Sequence, residues 1–168
     1  MSAHITSQPM LTVEEFERDY GCEKPHYEFW RGEAVQKSMP TWMHGLLQRI
    51  IMQLLNASGY KAGSEVKLKI EATFHPVPDI IATRGLVEQP YPTKALEVVV
   101  EILSPEDSMF RVLTKCRAYQ NWGFEHIYVV DPMERIVFRW VETRLEQVDT
   151  LAGIATFEIW KALDAELR

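Results

Sequence analysis

Two acidic residues, Asp79 and Glu101, lie in apolar segments where an unpaired charge is costly to bury. Asp79 stands in the run Val77–Thr83, and Glu101 stands in the run Ala95–Leu103. Burying a lone carboxylate costs several kcal/mol, so each of them needs a compensating partner. On adjacent strands the two carboxylates would meet at a divalent cation, since Mg²⁺ prefers a few carboxylate oxygens together with water. Such an ion polarises a phosphoryl oxygen and activates an attacking water.

The same two acids have a simpler explanation, which these residues alone leave open. Each acid would face solvent at the end of a strand, or would pair with a nearby Lys or Arg side chain. The helices and strands that position the two residues decide between these explanations.

Helical periodicity appears in three places. Thr12 and Glu15 form a capping-box pattern before a helix over Val13–Tyr20. An apolar stripe at four-residue spacing from Leu46 predicts a long helix that ends at Gly59. A third helix is predicted over Met109 to Trp122, with Gly123 as its C-terminal cap.

The remaining segments have the two-residue period or the apolar runs of strands. They predict a hairpin of Tyr27–Trp30 and Glu33–Lys37, the strands Val66–Ile70, Val77–Thr83, Ala95–Leu103, Ile127–Val130 and Ile136–Val141, and a tail with one edge strand in Leu145–Leu151 and a helix in Phe157–Leu167. This order predicts an α/β or α+β architecture with a mixed central sheet flanked by helices. The length predicts a single domain over residues 1–168.

Several short motifs occur in a fixed order along most of the chain. They are Tyr27-Glu28 with Gly32-Glu33, His44, Pro78-Asp79, Glu101-Ile102-Leu103-Ser104-Pro105, Lys115, Tyr119, Gly123 and Val129-Val130-Asp131-Pro132. This arrangement resembles the Uma-type family of the PD-(D/E)xK nuclease superfamily, which includes many restriction endonucleases. The resemblance implies a restriction-endonuclease-like fold and hydrolysis of DNA phosphodiester bonds.

The resemblance also implies which residues act. In most of the superfamily a lysine lies two residues after the second acid, a position that Leu103 occupies here. In the Uma-type branch the following helix supplies the lysine, which implies the catalytic set Asp79, Glu101 and Lys115. Asp79 and Glu101 would bind the metal, Mg²⁺ or Mn²⁺, and Lys115 would orient the water or stabilise charge on the phosphorane.

Three further residues are candidates with alternatives. Glu28 is an additional metal ligand or an ordinary hairpin carboxylate, and Glu33, after the turn, ranks below it. His44 would contact a substrate phosphate or cap the long helix. Tyr119, one helical turn beyond Lys115, would orient that lysine or lie in the core.

Composition restricts the setting of this chemistry. No apolar run approaches the roughly 20 residues of a membrane span, and two cysteines provide no disulfide framework, so we expect a protein of the reducing cytoplasm. A net charge of −6 is unusual for a DNA-binding protein, although a bound cation reverses the local charge of an acidic site.

Two functions from different classes follow. The first is a Mg²⁺-dependent endonuclease that acts on DNA, as a homodimer because two sites cut two strands most simply. The second is an inactive nuclease-fold protein that serves as a nucleic-acid-binding or assembly module, with Trp30 and Trp42 as surface aromatics.

Overall fold

The computed structural model describes residues 10–168 of the chain. The helices are α1 (Val13–Tyr20), α2 (Trp42–Ala57), α3 (Met109–Trp122) and α4 (Thr156–Glu166). The strands are β1 (Tyr27–Trp30), β2 (Glu33–Gln36), β3 (Lys61–Ser64), β4 (Phe74–His75), β5 (Ile80–Thr83), β6 (Val98–Ile102), β7 (His126–Asp131), β8 (Ile136–Val141), β9 (Arg144–Val148), β10 (Thr150–Leu151) and β11 (Ile154–Ala155). In this part of the chain, no helix has the length and apolarity that a membrane crossing requires.

A six-stranded mixed sheet forms the centre of the fold, with the strand order β3-β5-β6-β7-β8-β9. Neighbouring strands are antiparallel except β6 and β7, which are parallel and are connected through α3. A parallel pair needs such a crossover because a tight turn can join only antiparallel strands. The predicted fold class, a mixed sheet flanked by helices, is confirmed.

Apolar cores cover both faces of the sheet around β6, whose residues are all buried. Val100 belongs to the core that α2 and α4 complete, and Val99 belongs to the core that contains Cys116 and Tyr119 of α3. Fully burying one such aliphatic side chain stabilises the fold by about 1.5–3 kcal/mol. Since side chains alternate along a strand, Glu101 lies on the α3 face.

A smaller sheet, β2-β1-β4, carries the predicted hairpin. Arg31 and Gly32 at its turn have φ angles of 49° and 95°, as two-residue hairpin turns favour. Phe16 of α1 packs on Phe29 of β1 with a centroid distance of 5.0 Å. This packing fixes β1 and therefore the position of Glu28.

The predicted strand Val66–Ile70 is wrong. Its alternation is real, because Leu68 is fully buried and its two apolar neighbours on the same face pack against the core. The facing segment, however, contains Pro76 and Pro78, which have no N–H for a ladder. One bond, from Leu68 N to Pro76 O at 2.9 Å, connects the two segments.

Three other predicted strands differ from the structure by more than one residue at an end. The strand predicted over Val77–Thr83 begins at Ile80, after Pro78, so that Asp79 precedes β5 instead of lying inside it. The central strand is shorter than predicted and covers β6 only. The strand predicted over Leu145–Leu151 is interrupted at Asp149, because Thr150–Leu151 turns away to pair with β11.

The predicted ends of α1 and α3 are confirmed. Thr12 and Glu15 form both hydrogen bonds of a capping box at the start of α1. Gly123 ends α3 in the left-handed region with a φ of 116°, which explains a glycine at this position.

Two glycine substitutions should have opposite effects on stability. Gly123→Ala places a Cβ on a left-handed residue and should lower the free energy of unfolding by about 1–2 kcal/mol. Gly45→Ala adds a Cβ in open space on α2, where alanine is the better helix former, and should raise it by about 0.5–1 kcal/mol. Urea denaturation measures both, and a Gly123→Ala variant as stable as wild type would contradict the structure.

Candidate active site

Asp79 and Glu101 lie at neighbouring ends of β5 and β6. These strands are antiparallel with Ile80 opposite Val100. One step further in the same register, Asp79 is opposite Glu101. Both residues are buried, with 3% and 8% of their surface exposed. The sheet therefore brings the two predicted carboxylates to the same edge.

Lys115 of α3 lies between two carboxylates. Its Nζ is 2.8 Å from Oε1 of Glu101 and 2.8 Å from Oε1 of Glu28. Tyr119, on the same face of α3, donates its hydroxyl to Oε1 of Glu101 at 2.5 Å. The predicted Lys115 and Tyr119 therefore contact the second acid together, and none of these bonds uses Oε2 of Glu101.

Glu28 reaches this cluster from β1 and is fixed at both oxygens. Oε1 accepts from Val77 N at 2.8 Å as well as from Lys115, and Oε2 accepts from Trp30 Nε1 at 3.0 Å. Trp30, a predicted surface aromatic, is half-buried in the pocket lining, and its indole N–H supports this acid. Glu33, the lower-ranked alternative to Glu28, is exposed.

Asp79 is held by two basic side chains and a backbone amide. Oδ1 is 2.8 Å from Nζ of Lys37, while Oδ2 is 3.2 Å from Nε2 of His44 and accepts from Ile102 N at 2.7 Å. His44 was also a candidate for the cap of the long helix. Thr41 is the cap instead, since its hydroxyl accepts from His44 N. His44 instead contacts the first acid.

Three residues near Asp79 were missed by sequence reasoning: Lys37, Glu65 and Gln48. Lys37 Nζ contacts both Glu65 and Asp79, and Gln48 Nε2 donates to Oε1 of Glu65 and to the carbonyl of Asp79. The sequence indicated that a buried Asp79 needs a cationic partner. It does not indicate which basic residue supplies that cation.

The two acids differ in how readily they ionise. Burial raises the pKa of the Glu101 carboxyl to about 7, against the opposing charge of Lys115. Burial acts in the same direction on Asp79, but Lys37 and His44 outweigh it and hold the pKa of Asp79 below its usual range. Burial disfavours the charged form of Lys115, yet Glu101 and Glu28 raise the pKa of that amine above its ordinary value. Asp79 is therefore firmly ionised, whereas Glu101 exchanges a proton near neutral pH.

The cluster lines an open pocket of about 490 Å³. Five acids, Glu28, Glu65, Asp79, Glu101 and the exposed Asp107, line it together with Lys37 and Lys115. Further basic side chains of the lining are Lys24, His26 and Arg111. A solvent-connected pocket with converging polar groups is the usual form of a binding site.

The residues present fit a hard divalent cation. Asp79 and Glu101 supply carboxylate oxygens at one edge of the sheet, and Mg²⁺ needs only one or two carboxylates because it retains several waters. Within residues 10–168, no three His, Cys, Asp or Glu side chains form a ready-made cage, so the described site does not have the closed ligand set of a structural zinc. Oε2 of Glu101, which accepts no hydrogen bond from the described residues, and the ionised Asp79 are the groups suited to such an ion.

The family model of Uma2, described as "Putative restriction endonuclease", matches residues 13–167. The chain belongs to the Uma2 family. The predicted resemblance is thereby confirmed, and the family is one of nucleases.

A solved structure has a fold similar to that of this Uma2 protein. It is described as a putative nuclease belonging to DUF820 from Anabaena variabilis ATCC 29413, and it matches with a TM-score of 0.72 and 21% identity over 91% of this chain and 99% of that chain. A DrdV–DNA complex matches with a TM-score of 0.42 and 18% identity over 70% of this chain and 10% of that chain. Among the curated proteins, none matches.

Five of the six predicted site residues of this Uma2 protein line the pocket, and the sixth, Tyr119, is fully buried and contacts Glu101. Direct contacts join Glu28, Lys115, Glu101 and Tyr119, and a separate contact joins His44 and Asp79. The catalytic roles of all six remain predictions. Neither cysteine lines the pocket: Cys22 is exposed, and burial raises the pKa of the Cys116 thiol to about 12. Asp131 accepts from the backbone of Met133 and Glu134, as a turn residue does.

Removing Lys115 should destabilise the fold. Lys115→Met leaves the buried Glu28 and Glu101 without their shared cation and should lower the free energy of unfolding by about 3–5 kcal/mol. Arg117→Met, at an exposed position of the same helix, should change it by less than about 0.5 kcal/mol. Urea denaturation at neutral pH measures both, and equal effects would contradict the buried ion pair.

The titration of Glu101 should make stability depend on pH. Its pKa of about 7 in the folded protein exceeds the ordinary value of 4.5, so the folded state binds more protons than the unfolded state between these values. The stability contributed by Glu101 is present below the lower value and is lost as pH rises through the higher one. With a chelator present, wild type should therefore lose stability relative to Glu101→Gln from about pH 5 to about pH 8.

Urea midpoints across this pH range provide the measurement. The exposed Glu134→Gln substitution is the control, and its midpoints should parallel those of wild type. Parallel profiles of Glu101→Gln and wild type would show that Glu101 does not titrate in this range.

Proposed function

We propose that this Uma2 protein is a metal-dependent endonuclease that hydrolyses phosphodiester bonds in DNA. The observation that carries the proposal is the convergence of Asp79, Glu101 and Lys115 in one open pocket, with Lys115 Nζ 2.8 Å from Glu101. Two carboxylates and a lysine at a sheet edge are the groups that hydrolysis of a phosphodiester needs. Membership of a nuclease family supports the same chemistry.

Asp79 and Glu101 would hold the ion, Mg²⁺ or Mn²⁺. Glu28 is linked to Glu101 by Lys115, which contacts both carboxylates. When bound, the ion supplies Lewis-acid polarisation of the phosphate and a lower pKa for the attacking water. Lys37 and His44 keep Asp79 ionised and oriented. Tyr119 holds the Glu101 carboxylate on the other side. We assign Glu28 chiefly to the positioning of Lys115, since it accepts from that amine at 2.8 Å.

Lys115 would be the group that acts on the substrate. An ammonium group has three donors, and the contacts to Glu28 and Glu101 use two of them. The third donor would bind the attacking water or stabilise negative charge on the phosphoryl oxygens. Because Glu101 and Glu28 raise the pKa of Lys115, this amine carries its charge throughout the neutral range.

The pocket mouth offers basic groups to a nucleic-acid backbone despite the net charge of −6. Lys24 and Arg111 are exposed and line the pocket, and His26 lies beside them. Such groups would pair with phosphates on either side of the reacting bond. Cleavage of both strands would use a homodimer, and we expect the protein to act in the cytoplasm, where DNA is accessible.

The alternative function is a binding or assembly module of the same fold. Trp42, with 79% of its surface exposed at the start of α2, favours an interaction surface outside the pocket. This alternative predicts normal folding and DNA or partner binding without cleavage.

Nicking of supercoiled plasmid in Mg²⁺ or Mn²⁺ distinguishes the two functions. Asp79→Asn and Glu101→Gln should each reduce nicking by about a hundredfold or more, because each removes an ionised ligand while conserving shape. Glu134→Gln, an exposed acid outside the pocket, is the matched control and should cleave like wild type. Wild-type protein that binds DNA but produces no metal-dependent nicks would favour the binding module.

A further inference from the structure

The ammonium group of Lys37 lies inside a cage of oxygen atoms. Its Nζ is 2.8 Å from Oδ1 of Asp79, 2.8 Å from the carbonyl of Val77, and 3.1 and 3.3 Å from the two oxygens of Glu65. Two carboxylates and a backbone carbonyl are the hard oxygen ligands that Mg²⁺, Mn²⁺ and Ca²⁺ take in proteins. A positive charge is therefore built into a position whose surroundings suit a divalent cation.

The cage is formed by separate segments that the fold holds together. Gln48 of α2 donates to Glu65 at 3.2 Å and to the carbonyl of Asp79 at 2.9 Å, which ties the two sides of the cage. Glu65 itself has a φ of 56°, a left-handed conformation that is uncommon for a residue other than glycine. Local strain of this kind is retained where the surrounding structure requires a particular side-chain position.

Lys37 differs from Lys115 in the number of N–H donors that remain free for another partner. The three N–H groups of an ammonium match the three acceptor groups of the cage, Asp79, Val77 and Glu65. The side chain of Lys37 is also only 14% exposed. A lysine that binds substrate phosphate needs a free donor facing the pocket, so these contacts favour a role toward Asp79 over a role toward substrate.

Charge counting favours the same role. Four acids contact Lys37 or Lys115, namely Glu28, Glu65, Asp79 and Glu101. They contribute −4 when ionised and the two lysines contribute +2, which leaves −2 for this cluster without counting His44. The exposed Asp107, Lys24 and Arg111 of the pocket lining lie outside this cluster. One divalent ion neutralises this charge, whereas two ions would leave an excess of +2. Without Lys37 the net charge would be −3, which favours a second cation.

We propose that Lys37 is a positioning residue whose ammonium occupies the place of a second metal ion, so that the site takes one divalent ion. The one-ion part rests on the proposed nuclease function, because it places the remaining ion at Asp79 and Glu101. The cage itself does not depend on that function. Removal of the ammonium should open the cage of Glu65, Val77 and Asp79 to an added cation.

Counting bound Mn²⁺ by calorimetry and by electron paramagnetic resonance tests the proposal. Wild type should bind one ion per chain, and Lys37→Ala should bind one ion more than wild type. Lys94→Ala, which removes an exposed lysine, is the matched control and should bind as many ions as wild type. The double variant Lys37→Ala/Glu65→Gln removes a cage ligand and should lose the added ion.

Two results would overturn the proposal: wild type binding two ions per chain, or Lys37→Ala binding the same number as wild type. Neither result bears on plasmid nicking, which tests the nuclease function separately. No ion in wild type and one in Lys37→Ala would contradict the nuclease function while retaining the cage.

Lys37→Ala removes the ammonium partner of Asp79 and Glu65, and it has a test of its own if it unfolds in chelator. Refolding on addition of Mn²⁺, followed by circular dichroism, would show that a metal ion replaces the ammonium. Failure to refold at saturating Mn²⁺, with Lys37→Ala/Glu65→Gln folded under the same conditions, would overturn the proposal.

Discussion

The structure depends on pairing buried carboxylates with buried ammonium groups. Glu101 and Glu28 share Lys115, and Asp79 pairs with Lys37. Removing one partner of such a pair costs about 3–5 kcal/mol, a large part of the stability of a domain. The candidate active site is consequently also a structural element, because its acids depend on both lysines to stay in place.

The surrounding fold keeps these charges in register. β6 is covered on both faces, so Glu101 cannot turn to solvent without disturbing a core strand. The parallel step from β6 to β7 requires the crossover helix α3, and that helix carries Lys115 and Tyr119 back over the edge of the sheet. The hairpin brings Glu28 on its first strand and Lys37 directly after its second. The same connections that complete the sheet therefore assemble the pocket.

Environment makes two similar acids different. Asp79 contacts two basic side chains and a backbone amide, which keep it ionised, whereas burial dominates at Glu101 and raises its pKa to about 7. An ion that binds both would displace a proton chiefly from Glu101, so its affinity should increase as pH rises through neutrality. A pair of acids with separated pKa values is a common property of catalytic sites.

The sequence by itself determined the ends of α1 and α3, the buried central strand and the acids in apolar runs, because capping, periodicity and hydropathy are local properties. Its motifs also led to Lys115 through the family resemblance, although spacing alone would have left that lysine on a solvated face. Only the tertiary structure decided that Pro76 and Pro78 prevent a ladder at Leu68, and that Lys37, Glu65 and Gln48 surround Asp79. These partners are 14 to 42 residues from Asp79 in sequence (79 − 65 and 79 − 37). Such contacts depend on how separate segments pack, which no local pattern records.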